Sequence, residues 1–309
     1  MKIVFLDEYS VAGRDISTVA KFGDYTGYDF TLPEQVIERC QGAEIVISNK
    51  VVLSAEILAQ LPDLRLICVA ATGMNNVDLV AAAELGIEVR NAVGYSTYSV
   101  AETTLCSALS LLREVTYYDD YFHSGRYSAS DRPFNFDRPT SQIRGKRWGI
   151  IGLGNIGREV ARLATAFGCE VSYTSTSGVF RQEDYPAVSL DELLSESDII
   201  SIHAPLNAQT NNLLDAPQLS KMKPSAILIN VARGGIVNEQ ALADALDSGA
   251  IRGAALDVFS VEPLRTSPLY KIKDRYRLLA SPHNAWSSDD AIDRLIGCIS
   301  KNIEEYLNR

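Results

Sequence analysis

Three polar side chains lie where chemistry is expected, directly after predicted strands in the second half of the chain. Arg233 follows AILINVA, Glu262 follows ALDVFSV and His283 follows LLASP. Ligands bind outside the carboxyl ends of strands in open parallel sheets. An imidazole titrates near neutral pH, so His283 is of the right type for proton transfer. A lone histidine is often a surface or core group, and Arg233 with Glu262 would also make an ordinary surface pair, so both interpretations stay open.

The strands that lead to these side chains belong to a series that begins at Trp148. Apolar segments rich in Ile, Val and Leu alternate there with helical stretches, which predicts a doubly wound parallel sheet. The predicted strands are 148–151, 170–174, 198–203, 226–231, 253–257 and 277–280.

The first of these strands runs into a glycine-rich turn. Gly152, Gly154 and Gly157 have G-x-G-x-x-G spacing, and an amphipathic helix follows them. In this context Gly152 allows a tight turn, Gly154 lets a pyrophosphate approach the backbone, and Gly157 lets the helix pack closely on the strand. The free N–H groups of the helix N-terminus attract phosphates. The stretch therefore predicts dinucleotide binding rather than a purely structural turn.

A second α/β lobe is predicted before this domain. Strands at 2–6, 43–47, 64–70 and 87–90 alternate with helices at about 33–40, 54–60 and 77–85. The apolar segment 100–115 is predicted to leave this lobe as a helix with Ser99 and Glu102 as its capping box, and 117–146 to be irregular. The final helix, 288–307, carries an apolar stripe for which the first lobe is the nearest partner. The predicted domains are 1–99 plus 288–309 and 100–287.

Composition narrows the class of protein. The formal net charge of -10 over 309 residues argues against a nucleic-acid surface, and no run of Lys and Arg makes one locally. The five cysteines are widely spaced without a CxxC pair, so reduced thiols in a cytoplasmic protein are expected. The N-terminal MKIVFLDEYS is predicted to be neither a signal peptide nor a membrane span. No metal site is predicted.

Several segments downstream of the glycine turn resemble one family. NVARGGIVNEQAL at 230–242, ALDVFSVEP at 255–263 and SPHNAW at 281–286 are similar, in order and spacing, to the D-isomer-specific 2-hydroxyacid dehydrogenases. VAATGMNNVD at 69–78 and SVAETTL at 99–105 extend the similarity over most of the chain. The resemblance implies a flavodoxin-like substrate lobe made from both chain ends, with a Rossmann cofactor lobe inserted between them.

The same resemblance implies that Arg233, Glu262 and His283 catalyse hydride transfer between a nicotinamide cofactor and a small D-2-hydroxy or 2-oxo acid. His283 would be the general acid in reduction and the general base in oxidation. Glu262 would orient the imidazole and favour its protonated form. Arg233 would fork onto the substrate carboxylate and the 2-oxo oxygen.

The substrate side is also predicted from the resemblance. The loop 70–74 would hold the substrate carboxylate on its N–H groups, and Trp286 with ATGMNNVD is similar to the glycerate dehydrogenase or hydroxypyruvate (glyoxylate) reductase branch. That implies glycerate and hydroxypyruvate, or glyoxylate, as the substrate. The predicted substrate-binding residues are Lys50, Ala71, Thr72, Gly73 and Trp286.

One position of the cofactor site departs from the commoner pattern. The carboxylate that binds the ribose hydroxyls of NAD is expected near Ser175, where the chain reads Ser175, Thr176, Ser177 and Gly178, with Arg181 shortly after. No acid there repels a 2′-phosphate, so NAD(H) and NADP(H) both stay open. The other predicted cofactor contacts are Thr104, Gly152, Gly154, Asn155, Ile156, Gly157, Pro205, Thr210, Val231, Ala232 and Asp257.

Two further expectations concern the assembly and a rival function. The resemblance implies a homodimer joined through the cofactor lobes, without nucleic-acid or membrane partners. A non-enzymatic, NAD(H)-sensing binding protein of the corepressor type would keep the same fold and the glycine turn. The intact trio of Arg233, Glu262 and His283 favours the enzyme.

Overall fold

A computed structural model of the chain describes residues 1–178 and 183–309 and divides into two compact units. Unit 1 comprises Met1–Ser96 and Ser287–Arg309, and unit 2 comprises Thr97–Trp286. Within the described residues, no helix combines the length and the apolar character that a membrane crossing needs.

Unit 1 is built on a parallel sheet that has five strands within the described part of the chain, in the order β2-β1-β3-β4-β5. This order confirms the flavodoxin-like lobe. The strands are β1 (Lys2–Phe5), β2 (Asp24–Gly27), β3 (Ile45–Ser48), β4 (Leu66–Val69) and β5 (Glu88–Asn91). The helices of this unit are α1 (Ser17–Ala20), α2 (Val36–Cys40), α3 (Ala55–Leu58), α4 (Leu79–Glu84) and α11 (Asp289–Leu307).

Strand β2 was not predicted, so the expectation of four strands in this lobe is wrong. β2 reads DYTG, and none of its residues is buried. It pairs with β1 at the edge of the sheet. The central strands β3 and β4 are buried along their whole length, which produces the continuous apolar runs that sequence patterns detect.

The C-terminal helix α11 packs on unit 1 through its apolar stripe. Its buried residues include Ile292, Leu295 and Ile299, whereas Leu307 at the end of the predicted stripe is 44% exposed. The Arg90 guanidinium donates to the Asn302 carbonyl at 2.9 Å, and the Asn302 amide donates to the Asn91 carbonyl at 3.1 Å. These bonds connect α11 to β5.

Unit 2 contains a parallel sheet of six strands among the described residues, in the order β11-β10-β9-β8-β6-β7. The strands are β6 (Arg147–Ile151), β7 (Glu170–Thr174), β8 (Ile199–Ile202), β9 (Ile227–Asn230), β10 (Gly253–Leu256) and β11 (Leu278–Ala280). The helices are α5 (Thr97–Arg113), α6 (Val115–His123), α7 (Asn155–Ala166), α8 (Leu190–Glu196), α9 (Ala216–Leu219) and α10 (Glu239–Ser248).

The strand order reverses direction at β6. The chain passes from β6 to β7 on one side and then returns to β8 on the other side. Such a reversal opens a crevice at the carboxyl ends of the two central strands, where ligands bind in open α/β sheets. The glycine turn follows β6 and therefore lies at this point.

Two expectations at the beginning of unit 2 are wrong. Helix α5 begins at Thr97, so Ser99 lies inside the helix and is not its cap; its hydroxyl donates to the Ala285 carbonyl at 2.7 Å. The segment predicted as irregular from residue 117 is helical as far as His123. Glu114 separates α5 from α6 because its backbone is left-handed, with φ 53°. The continuous apolar pattern concealed that break.

Candidate active site

The three glycines of the turn differ in what surrounds them. Gly152 has φ +92°, and a Cβ there would lie 2.8 Å from the Ala204 nitrogen. A Cβ on Gly157 would lie 2.4 Å from the Gly152 carbonyl oxygen, whereas a Cβ on Gly154 would meet no protein atom within 4 Å. Gly152 and Gly157 are therefore required by the packing of the protein itself. The space beside Gly154 is open to a ligand.

Helix α7 begins at this turn without a side-chain cap. Its N-cap is Gly154, which has no side chain to accept the first N–H groups of the helix. Asn155 and Ile156 form the first turn, with the N–H groups and the partial positive charge that bind phosphate. The turn therefore fits the pyrophosphate of a dinucleotide.

Alanine substitutions at Gly157 and Gly154 are expected to affect different properties. The first should lower stability and the second should weaken NADH binding. Gly157→Ala should lower the free energy of unfolding by about 1–3 kcal/mol, because the added methyl group collides with main chain. Gly154→Ala should stay within about 1 kcal/mol of the unmutated protein but weaken NADH binding. Chemical unfolding and NADH fluorescence titration measure the two effects. Equal loss of stability in both variants would contradict the assignment of Gly154 to a ligand.

His283 and Glu262 form a close pair. The His283 Nδ1 atom lies 2.6 Å from the Glu262 Oε2 atom, and the side chains are 22% and 32% exposed. The other carboxylate oxygen of Glu262 accepts the Phe259 N–H at 2.9 Å. Both oxygens of Glu262 are thus engaged, which fixes the carboxylate and, through it, the imidazole plane. With Nδ1 donating to Glu262, the Nε2 atom is the one that can exchange a proton with a ligand.

The loop that carries His283 is organised by Asp257, which is buried at the end of β10. Its carboxylate accepts the Ser281 hydroxyl at 2.6 Å and the N–H groups of Asn284 and Ala285 at 2.9 and 3.0 Å. The Asp257 carbonyl accepts the His283 N–H at 2.8 Å. His283 has φ 52°, a left-handed conformation that costs energy in a residue with a side chain. These four bonds hold it there.

Asp257 and Trp286 therefore have contacts that the sequence did not predict. Asp257 was expected to meet the nicotinamide carboxamide, but it is 2% exposed and its oxygens bind the His283 loop. Trp286 was expected to bind substrate, and its indole N–H donates to the His283 carbonyl at 2.9 Å. Both residues position the histidine. The spacing between a strand-end Asp and a following SPHN segment is the only signal for this in the sequence.

Arg233 lies in a turn held by Asn230, the last residue of β9. The Asn230 side chain accepts the Ala232 N–H at 3.1 Å and donates to the Arg233 carbonyl at 2.9 Å. A Cβ on Gly234 would lie 1.8 Å from the Phe259 carbonyl oxygen. The Arg233 turn is thus in main-chain contact with the loop whose Phe259 binds Glu262. Asn230 was not predicted.

The other predicted cofactor residues fall into two groups. Ser175 and Thr176 follow β7, Pro205 lies in the loop after β8, and Val231 with Ala232 follows β9, so all five are at the carboxyl edge of the sheet. Thr104 and Thr210 are fully buried, and their hydroxyls donate to the carbonyls of Val100 and Pro205. The structure does not bring these two threonines to the surface of the sheet edge. Arg181 lies outside the described residues.

The substrate residues predicted in unit 1 lie in two loops that are hydrogen-bonded together. The Asp7 carboxylate accepts the N–H groups of Asn49, Lys50 and Val51 at 2.8, 2.6 and 3.2 Å. The Asn49 amide donates to the Ala70 carbonyl at 2.9 Å, at the start of the 70–74 loop. Burial raises the pKa of Asp7, and the three N–H donors oppose that rise. Asp7 and Asn49 are positioning residues, and the sequence did not reveal this role for Asp7.

The rest of the 70–74 loop is anchored to the strand beside it. The Thr72 hydroxyl donates to the Ala92 carbonyl at 3.1 Å, and the Asn91 amide donates to the Thr72 carbonyl at 2.6 Å. The Ala71 carbonyl accepts the Ala92 N–H at 3.1 Å. Thr72 thus has its side chain engaged with protein.

A phosphate-binding turn at the reversal of a parallel sheet, together with an imidazole held by a carboxylate, is the arrangement of dehydrogenases that use nicotinamide dinucleotides. Residues 105–285 match the model of the D-isomer specific 2-hydroxyacid dehydrogenase, NAD binding domain. The chain belongs to the D-isomer-specific 2-hydroxyacid dehydrogenase family, and it is a D-2-hydroxyacid oxidoreductase.

Relatives that align with nearly the whole chain support this family membership. The chain is 40% identical to a glycerate dehydrogenase of Methylorubrum extorquens, over 99% of this chain and 96% of that protein. It is 35% identical to a hydroxypyruvate reductase of Blautia hydrogenotrophica, over 99% and 97% of the two chains.

Solved structures with the same fold contain both types of nicotinamide dinucleotide. The chain superposes with a TM-score of 0.86 on the D-lactate dehydrogenase of Aquifex aeolicus complexed with NAD and lactic acid, at 26% identity over 99% and 95% of the chains. It superposes with a TM-score of 0.87 on an acyclic imino acid reductase in complex with NADPH and D-Arg, at 29% identity over 100% and 97%. These comparisons support a nicotinamide cofactor.

Proposed function

We propose that this chain reduces a small 2-oxo acid, hydroxypyruvate or glyoxylate, with His283 as the proton donor. The observation that carries the proposal is the 2.6 Å pair between His283 Nδ1 and Glu262 Oε2. An imidazole held in this way presents Nε2 in one orientation toward a ligand. It can then protonate the oxygen of a 2-oxo acid and take the proton back in the reverse reaction.

Arg233 has the complementary role toward the substrate. Its guanidinium can bind the substrate carboxylate and the 2-oxo oxygen together, because its donors form a planar fork. The same contact draws electron density from the carbonyl carbon and favours negative charge on its oxygen. When bound, the nicotinamide cofactor supplies the hydride in reduction and accepts it in oxidation. Glu262 does not contact the substrate in this proposal; it keeps His283 oriented.

We assign a separate binding role to the loops of each unit. Unit 2 would bind the cofactor, through Gly154, Asn155 and Ile156 after β6, and would supply the catalytic trio. Unit 1 would bind the substrate through Lys50 and the N–H groups of 71–73. The choice of hydroxypyruvate or glyoxylate is supported by the glycerate dehydrogenase and hydroxypyruvate reductase among the relatives.

Both NAD(H) and NADP(H) are proposed as cofactors. Ser175 stands where an acid would bind the ribose hydroxyls of NAD, and its hydroxyl lies 3.2 Å from that of Ser177. Hydroxyl groups accept either a ribose or a 2′-phosphate, and neither repels the extra charge. The NAD and NADPH complexes among the similar structures are consistent with this choice.

A cytoplasmic homodimer is the proposed state of the protein. Phe122, Phe134 and Phe136 of unit 2 are 61%, 65% and 83% exposed, which is typical of a surface that a partner covers. The five cysteines are free thiols, which supports a reducing compartment. Sedimentation equilibrium at micromolar concentration would give twice the monomer mass.

A substrate panel with both reduced cofactors tests the proposed reaction. Hydroxypyruvate, glyoxylate, pyruvate and 2-oxo-isocaproate are each supplied with NADH and with NADPH, and the oxidation of the cofactor is followed by absorbance. We expect the highest kcat/KM for hydroxypyruvate or glyoxylate, with measurable turnover of both cofactors. No turnover of any acid, together with tight NADH binding, would instead support the binding protein. A ratio of kcat/KM strongly favouring NADH would contradict the proposal for NADP(H).

A further inference from the structure

Beside the end of β7, an ion pair that the sequence did not suggest lies next to the position expected for the cofactor ribose. Arg158 belongs to the first turn of α7, and its N–H donates to the Gly154 carbonyl at 2.9 Å. Its guanidinium binds the Glu183 carboxylate through two hydrogen bonds, Nε to Oε2 at 3.0 Å and Nη2 to Oε1. The pair is bidentate, the strongest geometry that these two groups form.

The direction of the Arg158 side chain follows from the helix. Gly157, Val160, Ala161 and Ala164 are the buried residues of α7 and face the sheet. Arg158 lies about 100° around the helix from Gly157, on the flank where its guanidinium binds Glu183. Side chains on a helix also lean toward its N-terminus. Arg158 therefore extends along β7 toward the carboxyl edge of the sheet.

Glu183 is held beside the same strand. The segment that follows it pairs with β7, since the Tyr173 N–H donates to the Pro186 carbonyl at 3.0 Å and the Val188 N–H donates to the Tyr173 carbonyl at 2.9 Å. Ser175 directly follows the last residue of β7, two positions after Tyr173. The Glu183 side chain is 13% exposed and that of Arg158 is 37% exposed. The charged pair is thus held beside β7, the strand after which the cofactor's 2′ substituent is expected.

We propose that Glu183 sets the cofactor selectivity of this enzyme by occupying Arg158, the cation that a 2′-phosphate would otherwise bind. The inference rests on the proposed dinucleotide site of unit 2. With Glu183 in place the pair is neutral overall, so the site neither attracts the 2′-phosphate of NADP(H) strongly nor repels it. A 2′-phosphate must displace the carboxylate to reach the guanidinium. Arg158 and Glu183, rather than a single acid at the end of β7, are then the specificity-determining residues.

Nucleotide binding, measured by calorimetry without any turnover, tests the inference. The probes are adenosine 5′-monophosphate and adenosine 2′,5′-bisphosphate, which differ only in the 2′-phosphate, together with NADH and NADPH. We expect Glu183→Gln to tighten binding of the bisphosphate and of NADPH by at least about tenfold, because one charge-assisted contact is released. Binding of the monophosphate and of NADH should change less than about twofold. Arg158→Gln should abolish the gain when combined with Glu183→Gln.

The matched control is the neighbouring pair on the same helix. Glu159 and Arg162 also form a two-bond ion pair, and Glu159→Gln removes the same charge. If Glu183→Gln and Glu159→Gln change the bisphosphate-to-monophosphate ratio equally, the effect is one of general charge and the inference is overturned. An unchanged ratio in Glu183→Gln overturns it as well. Failure of the unmutated protein to bind NADH would overturn the dinucleotide site itself, which is a separate result.

Discussion

Replacing His283 with alanine is expected to lower kcat for hydroxypyruvate reduction by about 10²–10⁴-fold, the range that a positioned general acid contributes. The reason is that the substitution removes the imidazole that Glu262 holds at 2.6 Å, which is the proposed proton donor. The affinity for NADH should stay within a factor of about two, because His283 lies in the loop after β11 and not in the glycine turn. Steady-state kinetics and NADH fluorescence titration measure the two quantities.

The control for this substitution is another histidine of the same unit. His123 ends α6, its side chain is 71% exposed, and its neighbour is Asp119 at 3.5 Å. His123→Ala should leave kcat unchanged. Glu262→Gln should have a kcat between those of His283→Ala and His123→Ala, since the imidazole remains but loses the carboxylate that orients it. If His283→Ala retained the kcat of the unmutated enzyme, the proton would come from another group and the proposed mechanism would be wrong.

The sequence predicted the parts of the site that depend on local patterns. The glycine spacing has a steric cause, since a Cβ at Gly157 would collide with the Gly152 carbonyl of the same turn and a Cβ at Gly152 with the main chain of Ala204. The ends of β9, β10 and β11 were recognisable as apolar runs followed by polar residues. Because parallel strands end at one edge of the sheet, these patterns also predicted that Arg233, Glu262 and His283 share that edge.

What the sequence did not reveal is where buried polar groups direct their hydrogen bonds. Asp257 was expected to contact the cofactor, and no role was expected for Asn230. Asp257 holds the loop that carries His283, and Asn230 holds the turn that carries Arg233. Thr104 and Thr210 look like ligand contacts in a motif but donate inward to main-chain carbonyls. A side chain's partner depends on tertiary packing, and a pattern of residue types contains no record of it.

The same limitation applies to charge. The residues from Ser175 to Gly178 include no acid, and the spacing from the glycines points only to those positions. Glu183 is eight residues beyond Ser175 along the chain, and the return of that segment to β7 brings it to Arg158. A tertiary contact, the pairing of Pro186 and Val188 with Tyr173, holds Glu183 there, so a fixed offset from the glycines could not predict it.

Replacing Arg233 with glutamine is the second substitution with a large expected effect. Two interactions would be lost, the binding of the substrate carboxylate and the polarisation of the 2-oxo group. Losing one transition-state donor typically costs about 10²–10³-fold in kcat, and the lost carboxylate contact adds an increase in KM. We therefore expect kcat/KM for hydroxypyruvate to fall by more than about 10³-fold. NADH binding should be retained, and circular dichroism should show that the variant is folded.

Lysine at the same position separates charge from geometry. Arg233→Lys keeps the positive charge but has no planar fork, so it cannot bind a carboxylate through two parallel bonds. Asn230 fixes the backbone at position 233, so the turn cannot shift to bring the shorter lysine side chain closer to the substrate. Arg233→Lys should therefore recover part of the KM loss, through charge, but little of the kcat loss. Arg265→Gln, at an exposed position of the same unit, should leave both constants unchanged. Full activity of Arg233→Lys would mean that Arg233 acts as a simple point charge.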